Sequence, residues 1–399
     1  MVRLGERLIL VPEWGHRGDG ATIAGVPKET APGEKRVAVV PEMVAKLGGL
    51  QASVQRGAGG EAGYPDSEYE QKGASMVADA SSLYGQVDLI LKVQPPTPAE
   101  IDQFKEGTTL VSFVYPLGNL ELVEKLAARR VTTFAMDLMP RITRAQPMDA
   151  LSSQATIMGY KAVVLAAGSL PKLFPMLMTA AGTVSPARVF VIGAGVAGLQ
   201  AIAVSRRLGA LVEAYDVRPI VKEEVSSLGA RFVELPIETG EAAGAGGYAK
   251  SQSADFYQKQ QALLAEHAKG SDVVITTALV FGKRAPILVS EEAVKGMRPG
   301  SVIVDLAAEQ GGNCALSEPG KTVVKYGVTI HAPLNVPSSM APQASQFYSR
   351  NVTSFVAELV KQSSPSLNLK DELIRGSLLT YNGEVTHQPT KEAIEGRRK

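Results

Sequence analysis

Residues 188–218, RVFVIGAGVAGLQAIAVSRRLGALVEAYDVR, carry the strongest structural signal in the chain. The apolar run RVFVI predicts a buried strand, a helix-compatible segment follows it, and LVEAY predicts a second strand that ends at Asp216. Between the first strand and the helix, Gly193, Gly195 and Gly198 have the spacing G-x-G-x-x-G. This order of elements predicts a βαβ unit, and therefore an α/β fold with a parallel sheet.

The three glycines have separate mechanical tasks. Gly193 permits a tight turn, Gly195 lets the backbone approach a pyrophosphate, and Gly198 brings helix and strand close together. The pyrophosphate is expected at the positive N-terminal end of the helix. Asp216 follows Gly198 by 18 residues, near the position where a carboxylate binds ribose hydroxyls. We therefore predict a dinucleotide site; the alternative is a glycine-rich turn with only a structural role.

The residue at the end of the second strand bears on which dinucleotide is bound. A carboxylate at Asp216 repels a 2′-phosphate, which favours NAD(H) over NADP(H). Arg218 weakens this argument, because a nearby guanidinium can accept that phosphate. The chain contains a single fingerprint of this kind. If the reaction involves two dinucleotides, another protein must bind the second.

Apolar runs and helix-compatible segments alternate in two series, which predicts two α/β domains. The predicted strands lie at residues 22–26, 52–55, 89–93, 109–113 and 131–135, and then at 189–192, 211–215, 272–276 and 301–305. A long helical segment follows residue 152 and marks the hinge. The predicted domains are residues 21–150 with 342–399, and residues 151–341. The charged end, residues 387–399, is expected to be mobile.

Composition excludes several classes of protein. With 45% hydrophobic residues, 20% charged residues and a net charge of +1, the 399-residue chain is globular, and it lacks the basic surface of a nucleic-acid binder. The longest uncharged apolar stretch, residues 189–205, contains three glycines and is too short to span a membrane. The single cysteine, Cys314, favours a reducing cytosol. The four histidines are scattered, so no metal site is predicted. Residues 1–20 are interpreted as an extension outside the fold, neither signal peptide nor anchor.

Three further stretches resemble the family of alanine dehydrogenase and the NAD(H)-binding subunit of proton-translocating transhydrogenase. They are VPKETAPGEKRVAVVPE at residues 26–42, VDLILKVQPP at 87–96 and SVIVDLAAEQGGN at 301–313. The resemblance covers residues 22–383. It implies two Rossmann-like, doubly wound parallel-sheet domains with the NAD site in the cleft between them, and a homodimer.

Single residues separate the two branches of this family. Alanine dehydrogenases use an arginine, a lysine, a histidine and an aspartate on their keto-acid substrate, where the imine chemistry needs a proton donor. The arginine and lysine match Arg36 and Lys92, but Tyr115 stands at the histidine position and Glu309 at the aspartate position. Pyruvate reduction is therefore not expected. Arg36 and Lys92 are predicted to be structural ion-pair or hydrogen-bonding groups.

The segment MPRITRAQPMDALSSQ, residues 139–154, closely resembles the transhydrogenase loop that wraps the nicotinamide end of NAD(H). The resemblance carries catalytic roles over to Arg141, Gln146, Asp149 and Ser152. Hydride transfer between two nicotinamides requires no general acid or base, only close and correctly oriented rings. The alternative for this segment is a polar linker with a helix cap at Ser152 or Ser153.

A second stretch, residues 235–253, is rich in glycine and alanine. It resembles the transhydrogenase mobile loop that folds over bound nucleotide. Tyr248 matches the tyrosine of that loop, and the resemblance carries a catalytic role over to it. The alternative is a plain flexible surface insertion. The cofactor-contacting residues implied by the resemblance, besides the glycines and Asp216, are Val196, Val217, Arg218, Gly247, Ala278 and Leu279.

The sequence thus resembles the NAD(H)-binding alpha subunit of proton-translocating NAD(P) transhydrogenase. The resemblance implies that NADH on this chain gives its hydride to NADP+ on a partner NADP(H)-binding subunit, and that separate membrane subunits couple the reaction to proton translocation. The chain is then expected to be peripheral at the cytoplasmic face of the membrane. The alternatives are an amino-acid dehydrogenase like alanine dehydrogenase and, with no feature in its favour, an NAD-sensing module.

Overall fold

The computed structural model describes residues 22–235, 254–279, 284–361 and 367–397. The chain forms two compact units, one of residues 1–154 with 338–399 and the other of residues 155–337. From the sequence these divisions are predicted after residues 150 and 341. The first division falls within the helix Ala150–Ser169, labelled α5.

The first unit contains a mostly parallel sheet. Its strands are β1 (Ile23–Val26), β2 (Gln51–Gln55), β3 (Ser75–Val77), β4 (Leu89–Leu91), β5 (Thr109–Ser112), β6 (Thr132–Ala135), β16 (Leu378–Tyr381) and β17 (Glu384–Val385). They lie in the order β17-β16-β6-β5-β4-β1-β2-β3. The strands β1 to β6 pair in parallel, whereas β16 is antiparallel to both of its neighbours. The helices are α1 (Asp66–Gln71), α2 (Ala80–Gln86), α3 (Pro98–Gln103), α4 (Leu120–Ala128), α10 (Ala341–Lys361), α11 (Glu372–Ser377) and α12 (Gln388–Arg397).

The second unit repeats this plan. Its strands are β7 (Leu177–Thr179), β8 (Gly182–Val184), β9 (Arg188–Ile192), β10 (Leu211–Tyr215), β11 (Arg231–Phe232), β12 (Val273–Thr276), β13 (Val302–Asp305), β14 (Thr322–Lys325) and β15 (Val328–His331). The helices beside α5 are α6 (Val196–Arg207), α7 (Lys222–Ser227), α8 (Ala254–Lys269) and α9 (Glu291–Gly296). The main sheet has the order β11-β10-β9-β12-β13-β15-β14, and β7 and β8 form a separate hairpin.

Numbered along each unit, the first six parallel strands lie in the spatial order 3-2-1-4-5-6. This is the doubly wound arrangement of dinucleotide-binding folds. The predicted α/β class with two Rossmann-like parallel-sheet domains is confirmed. In such a sheet the order reverses between the first and fourth strands, here β9 and β12, and ligands bind at the carboxyl ends of the strands at that point.

The strand sequences explain why both faces of the second sheet are covered. Along β9, Val189 and Val191 join one buried apolar cluster, while Phe190 and Ile192 join a second. The same alternation occurs along β12 and β13. Successive side chains of a strand point to opposite faces, so a continuous apolar run indicates a strand buried on both sides.

One expectation about the C-terminus is wrong. The predicted mobile tail instead forms α12, in which Thr390 and Ile394 are buried. Ile394 packs in an apolar cluster with Val123 of α4 and Leu379 of β16. The charged composition of the tail gives no sign of the two side chains that anchor the helix.

Candidate functional site

The glycine-rich turn joins β9 to α6. Gly193 has φ +100°, and a Cβ added there would lie 2.5 Å from Oγ1 of Thr277. A Cβ on Gly198 would lie 1.8 Å from the carbonyl oxygen of Gly193. At Gly195 the situation differs, because a Cβ there would meet no atom within 4 Å. The fold therefore requires the first and third glycines, while the second borders open space.

Backbone N–H groups at the N-terminal end of α6 are available to donate hydrogen bonds. Its N-cap residue is Gly195, which offers no side-chain cap, and the first turn contains no acidic residue. The first N–H groups of a helix lack acceptors within the helix, and the helix dipole adds partial positive charge there. Val196 begins the helix and is 42% exposed. Open space at Gly195 beside uncapped N–H groups fits a pyrophosphate.

Asp216 lies directly after β10, and β10 is the strand next to β9 in the sheet. Its Oδ2 accepts the backbone N–H of Ala194, at 2.8 Å, which ties the carboxylate to the glycine-rich turn. Arg218 donates to the same carboxylate from its backbone N and Nε, both at 2.9 Å, and from Nη2 at 2.8 Å. Val217, between them, is half-buried. Asp216 and Arg218 therefore form one hydrogen-bonded group with the turn.

The end of β12 completes the same region. Thr277 donates from Oγ1 to the carbonyl oxygen of Gly193, at 3.0 Å. Asn313 is fully buried, and its side-chain amide accepts the N–H of Ala278 at 3.0 Å and donates to the carbonyl of Ala278 at 2.9 Å. Leu279 is half-buried next to it. The glycine turn, Asp216 and Ala278 thus lie together at the switch point of the sheet. Gly247 and Tyr248 lie outside the described residues.

In the first unit, the segment predicted to contact nicotinamide forms a 3-10 helix, Thr143–Met148, followed by α5. Asp149 caps α5: it accepts the N–H of Ser152 at 2.9 Å and the Ser152 hydroxyl at 2.6 Å. A helix cap is present in this segment, but the capping side chain is Asp149 and not Ser152 or Ser153. Arg141 and Gln146 are exposed.

Helix α10 holds this segment in place. Asn351 donates to the carbonyl of Pro147 at 2.8 Å and accepts the hydroxyl of Ser153 at 2.6 Å. Arg144 also forms an ion pair with Asp371. The structure thus joins Asp149 to Ser152. Asn351, far away in sequence, holds the backbone directly after Gln146.

The two cations at the keto-acid positions are engaged in buried ion pairs, as predicted. Arg36 donates to Glu34 from Nε at 2.8 Å and to Gln154 from Nη1 at 2.9 Å. Nζ of Lys92 lies 3.3 Å from Glu29 and 3.0 Å from Glu100. Burial opposes the ionisation of Glu34, but hydrogen bonds and charge from Arg36 outweigh it and lower the pKa of Glu34 to about 2. Both cations have carboxylate partners within the chain.

The two substituted positions also have structural partners. Tyr115 has φ +50°, stacks on Phe113 with ring centres 5.5 Å apart, and donates its backbone N–H to Asp137 at 2.9 Å. Burial raises the pKa of Asp137 to about 6, although backbone hydrogen bonds partly oppose the shift. Glu309 accepts the backbone N–H of Asn335. These contacts therefore place no imidazole where alanine dehydrogenases have their histidine, the position of Tyr115 in this chain.

Three residues of the site are not among those predicted from the sequence. Thr277 and Asn313 hold the end of β12, and Asn351 holds the 3-10 helix at Pro147. For Asn313 a signal exists, since it directly follows two glycines in the quoted family stretch. For Thr277 and Asn351 no local pattern distinguishes the functional side chain from its neighbours.

The described ranges contain no cluster of three histidine, cysteine or acidic side chains arranged to hold a metal ion. None of the helices that the structure describes combines the length and apolar character needed to cross a bilayer.

The chain is similar to characterised families over nearly its whole length. The model of the alanine dehydrogenase/PNT N-terminal domain matches residues 25–158, and that of the C-terminal domain matches residues 162–388. The first portion of an NAD(P) transhydrogenase subunit alpha, from Rhodospirillum rubrum, is 48% identical over 373 residues, which is 91% of this chain and 97% of that protein. An alanine dehydrogenase from Methanococcus maripaludis is 27% identical over 381 residues, 93% of this chain and 96% of that protein.

Among solved structures, too, the chain is more similar to a transhydrogenase than to an alanine dehydrogenase. A transhydrogenase from Sinorhizobium meliloti superimposes with a TM-score of 0.80 at 44% identity, covering 92% of this chain and 99% of that chain. An L-alanine dehydrogenase superimposes with a TM-score of 0.77 at 26% identity, covering 94% and 99%. The chain therefore belongs to the alanine dehydrogenase/PNT family and, within it, groups with the NAD(P) transhydrogenase alpha subunits.

Proposed function

We propose that this chain binds NAD(H) in its second unit and holds NADH for direct hydride transfer to NADP+ on a partner subunit. The observation that carries the proposal is the turn between β9 and α6. There a Cβ at Gly195 would enter open space, uncapped helix N–H groups adjoin it, and Asp216 lies beside it. In a relative of transhydrogenase alpha subunits, these features suit a dinucleotide.

The residues of the second unit would divide the work of binding. The N–H groups at Gly195 and Val196 face the pyrophosphate, and Asp216 accepts the hydroxyls of the adenosine ribose. Val217, Ala278 and Leu279 offer half-buried apolar surface beside them. We assign Gly247 and Tyr248, on the basis of resemblance, to a segment that closes over the nucleotide.

The residues of the first unit would act on the reactive end of the dinucleotide. The nicotinamide ring supplies or receives the hydride, and such a transfer needs orientation and exclusion of water rather than proton transfer. Arg141, Gln146, Asp149 and Ser152 offer guanidinium, amide, carboxylate and hydroxyl groups that can orient a carboxamide and a ribose. The cap between Asp149 and Ser152 would keep two of these groups fixed relative to α5.

The partners are included in the proposal. The chain would work with an NADP(H)-binding subunit and with membrane subunits that couple hydride transfer to proton translocation, at the cytoplasmic face of the membrane. Relatives of this chain are named as alpha subunits, which supports a multi-subunit enzyme. We also propose that two copies of the chain form a homodimer.

The nucleotide preference can be tested at the adenosine end. Wild-type chain is expected to bind NADH more tightly than NADPH. Asp216→Ala is expected to weaken NADH binding by about tenfold or more, because both a charged acceptor of two hydroxyls and the hydrogen bond to the glycine-rich turn are lost. The same change removes the repulsion of a 2′-phosphate, so the difference between the affinities for NADH and NADPH becomes smaller. Calorimetric titration measures both affinities, with Glu318→Ala as a control for loss of an exposed carboxylate in the same unit. Equal affinity of the wild type for the two nucleotides would contradict the assignment.

The segment around Gln146 predicts a separation of rate from affinity. Gln146→Ala is expected to slow single-turnover hydride transfer by about tenfold or more while changing NADH affinity by less than about threefold, because the lost contact orients the ring. Thr143→Ala, at another exposed position of the same 3-10 helix, is the matched control. A change in NADH affinity with an unchanged rate would remove Gln146 from the hydride-transfer site.

If two copies of the chain form a homodimer, the β7–β8 hairpin is expected to lie in the interface. Met176, Leu177 and Met178 are exposed, Met178 by 82%, and an apolar cluster of this kind is typical of an interface. Met178→Asp is expected to lower the apparent mass in light scattering from that of a dimer toward that of a monomer. Val324→Asp, at another exposed apolar position of the second unit, is the control and is expected to leave the mass unchanged. A monomeric wild type would refute the homodimer.

A further inference from the structure

All the acceptor capacity of the Asp216 carboxylate is occupied within the chain. Oδ1 accepts the backbone N–H and Nε of Arg218, and Oδ2 accepts the N–H of Ala194 and Nη2 of Arg218. A carboxylate offers about four lone-pair sites in total. Four donors at 2.8–2.9 Å therefore leave none for a further hydroxyl.

The four donors differ in how easily they can leave. Two are backbone N–H groups, at Ala194 in the glycine-rich turn and at Arg218 after β10, and both are placed by the fold. The other two belong to the Arg218 guanidinium, which ends a flexible side chain at the edge of the site. Its side chain is 18% exposed, against 7% for Asp216. Only the guanidinium can release Asp216 without disturbing the turn.

We infer that Arg218 is a displaceable counterion that competes with the adenosine ribose for Asp216 and sets the discrimination between NAD(H) and NADP(H). This inference rests on the proposed binding of NAD(H) in the second unit. Ribose hydroxyls gain Asp216 only when the guanidinium gives up its two hydrogen bonds. The released guanidinium then lies close to the 2′ position, where it attracts a phosphate if one is present.

The inference predicts opposite effects on the two nucleotides when the guanidinium is removed. Arg218→Met keeps a long apolar side chain and the backbone N–H, but it removes the competitor. NADH should then bind about three- to tenfold more tightly, which is the range expected for a partly exposed ion pair that no longer has to be broken. NADPH should bind more weakly, because its 2′-phosphate now meets Asp216 with no cation beside it.

The experiment titrates NADH and NADPH into wild-type chain, Arg218→Met and Arg231→Met, followed by nucleotide fluorescence. Arg231 has an exposed side chain and pairs with Glu213 in the same sheet, so Arg231→Met controls for the loss of one surface cation. Thermal unfolding of each variant checks that the second unit is intact. Arg218→Lys is the second variant; it retains the charge but loses the two-point contact, and intermediate affinities are expected.

The expected result is a rise in the ratio of NADPH to NADH dissociation constants of about tenfold or more in Arg218→Met alone. Weaker or unchanged NADH binding in that variant, with normal binding by wild type, would overturn the inference and leave the proposed function standing. A wild-type chain that binds neither nucleotide would overturn both.

Discussion

Gly195→Ala is expected to weaken NADH binding by about a hundredfold while leaving the second unit fully folded. The backbone at Gly195 has φ −77° and ψ −169°, which alanine adopts without strain, and the added Cβ would meet no atom of the chain. The methyl group would instead occupy the open space proposed for the pyrophosphate, where overpacking costs about 1–3 kcal/mol. In the absence of nucleotide, the change is expected to be neutral or slightly stabilising, because it restricts the unfolded chain.

Gly198→Ala gives the contrasting result. Its Cβ would lie 1.8 Å from the carbonyl oxygen of Gly193, so α6 must move away from β9. We expect a fall of about 3 kcal/mol or more in the free energy of unfolding, and a loss of NADH binding that follows from the damaged turn. Two alanine substitutions three residues apart thus separate a binding role from a packing role.

Chemical denaturation and NADH titration of both variants make this comparison. Gly168→Ala is the matched control, because Gly168 lies in α5 and a Cβ there also meets no atom within 4 Å. It is expected to affect neither NADH affinity nor the integrity of the fold. Undiminished NADH affinity in Gly195→Ala would show that the pyrophosphate does not pass over this residue.

Local patterns are sufficient to predict much of the fold. Each strand of the second unit that the sequence predicts ends within one residue of its observed end, because parallel strands buried on both faces are continuous apolar runs. The pair β16 and β17 is not among the predicted strands. Thr380 of β16 bonds to Thr133 and to the carbonyl of Val131, almost 250 residues earlier, and no local pattern encodes such a partner.

The candidate site also contains features that local sequence patterns predict and others that depend on contacts between distant residues. The glycine-rich turn and the Asp216–Arg218 pair are short-range features, so spacing alone locates the residues. The contacts of Asn351 with the 3-10 helix at Pro147, and of Asn313 with Ala278, depend on elements that meet only when each unit folds. Residue identity indicates hydrogen-bonding capacity at these positions, but only the folded chain shows which groups use it.

The purified chain alone is expected to bind NADH and to show no turnover, either with NADP+ or with pyruvate and ammonia. Keto-acid reduction requires a cation to hold the substrate carboxylate and a group to supply a proton. Here Arg36 and Lys92 are buried with Glu34, Glu29 and Glu100 as partners. Tyr115 replaces the histidine, and a phenol is a far weaker acid than an imidazolium near neutral pH.

Adding an NADP(H)-binding subunit is expected to create hydride exchange between the two nucleotides without any membrane component. The transfer needs only two apposed and oriented nicotinamide rings, so bringing them together should raise the rate from background by about a hundredfold or more. Absorbance of NADH and of an NADP+ analogue, followed in a mixture of the two purified proteins, measures the exchange. Gln146→Ala in the same mixture links the exchange to the first unit. Robust pyruvate-dependent oxidation of NADH by the lone chain would instead establish an amino-acid dehydrogenase. In that event the ion pairs of Arg36 and Lys92 would have to open for the substrate, and the structural role assigned to them would be wrong.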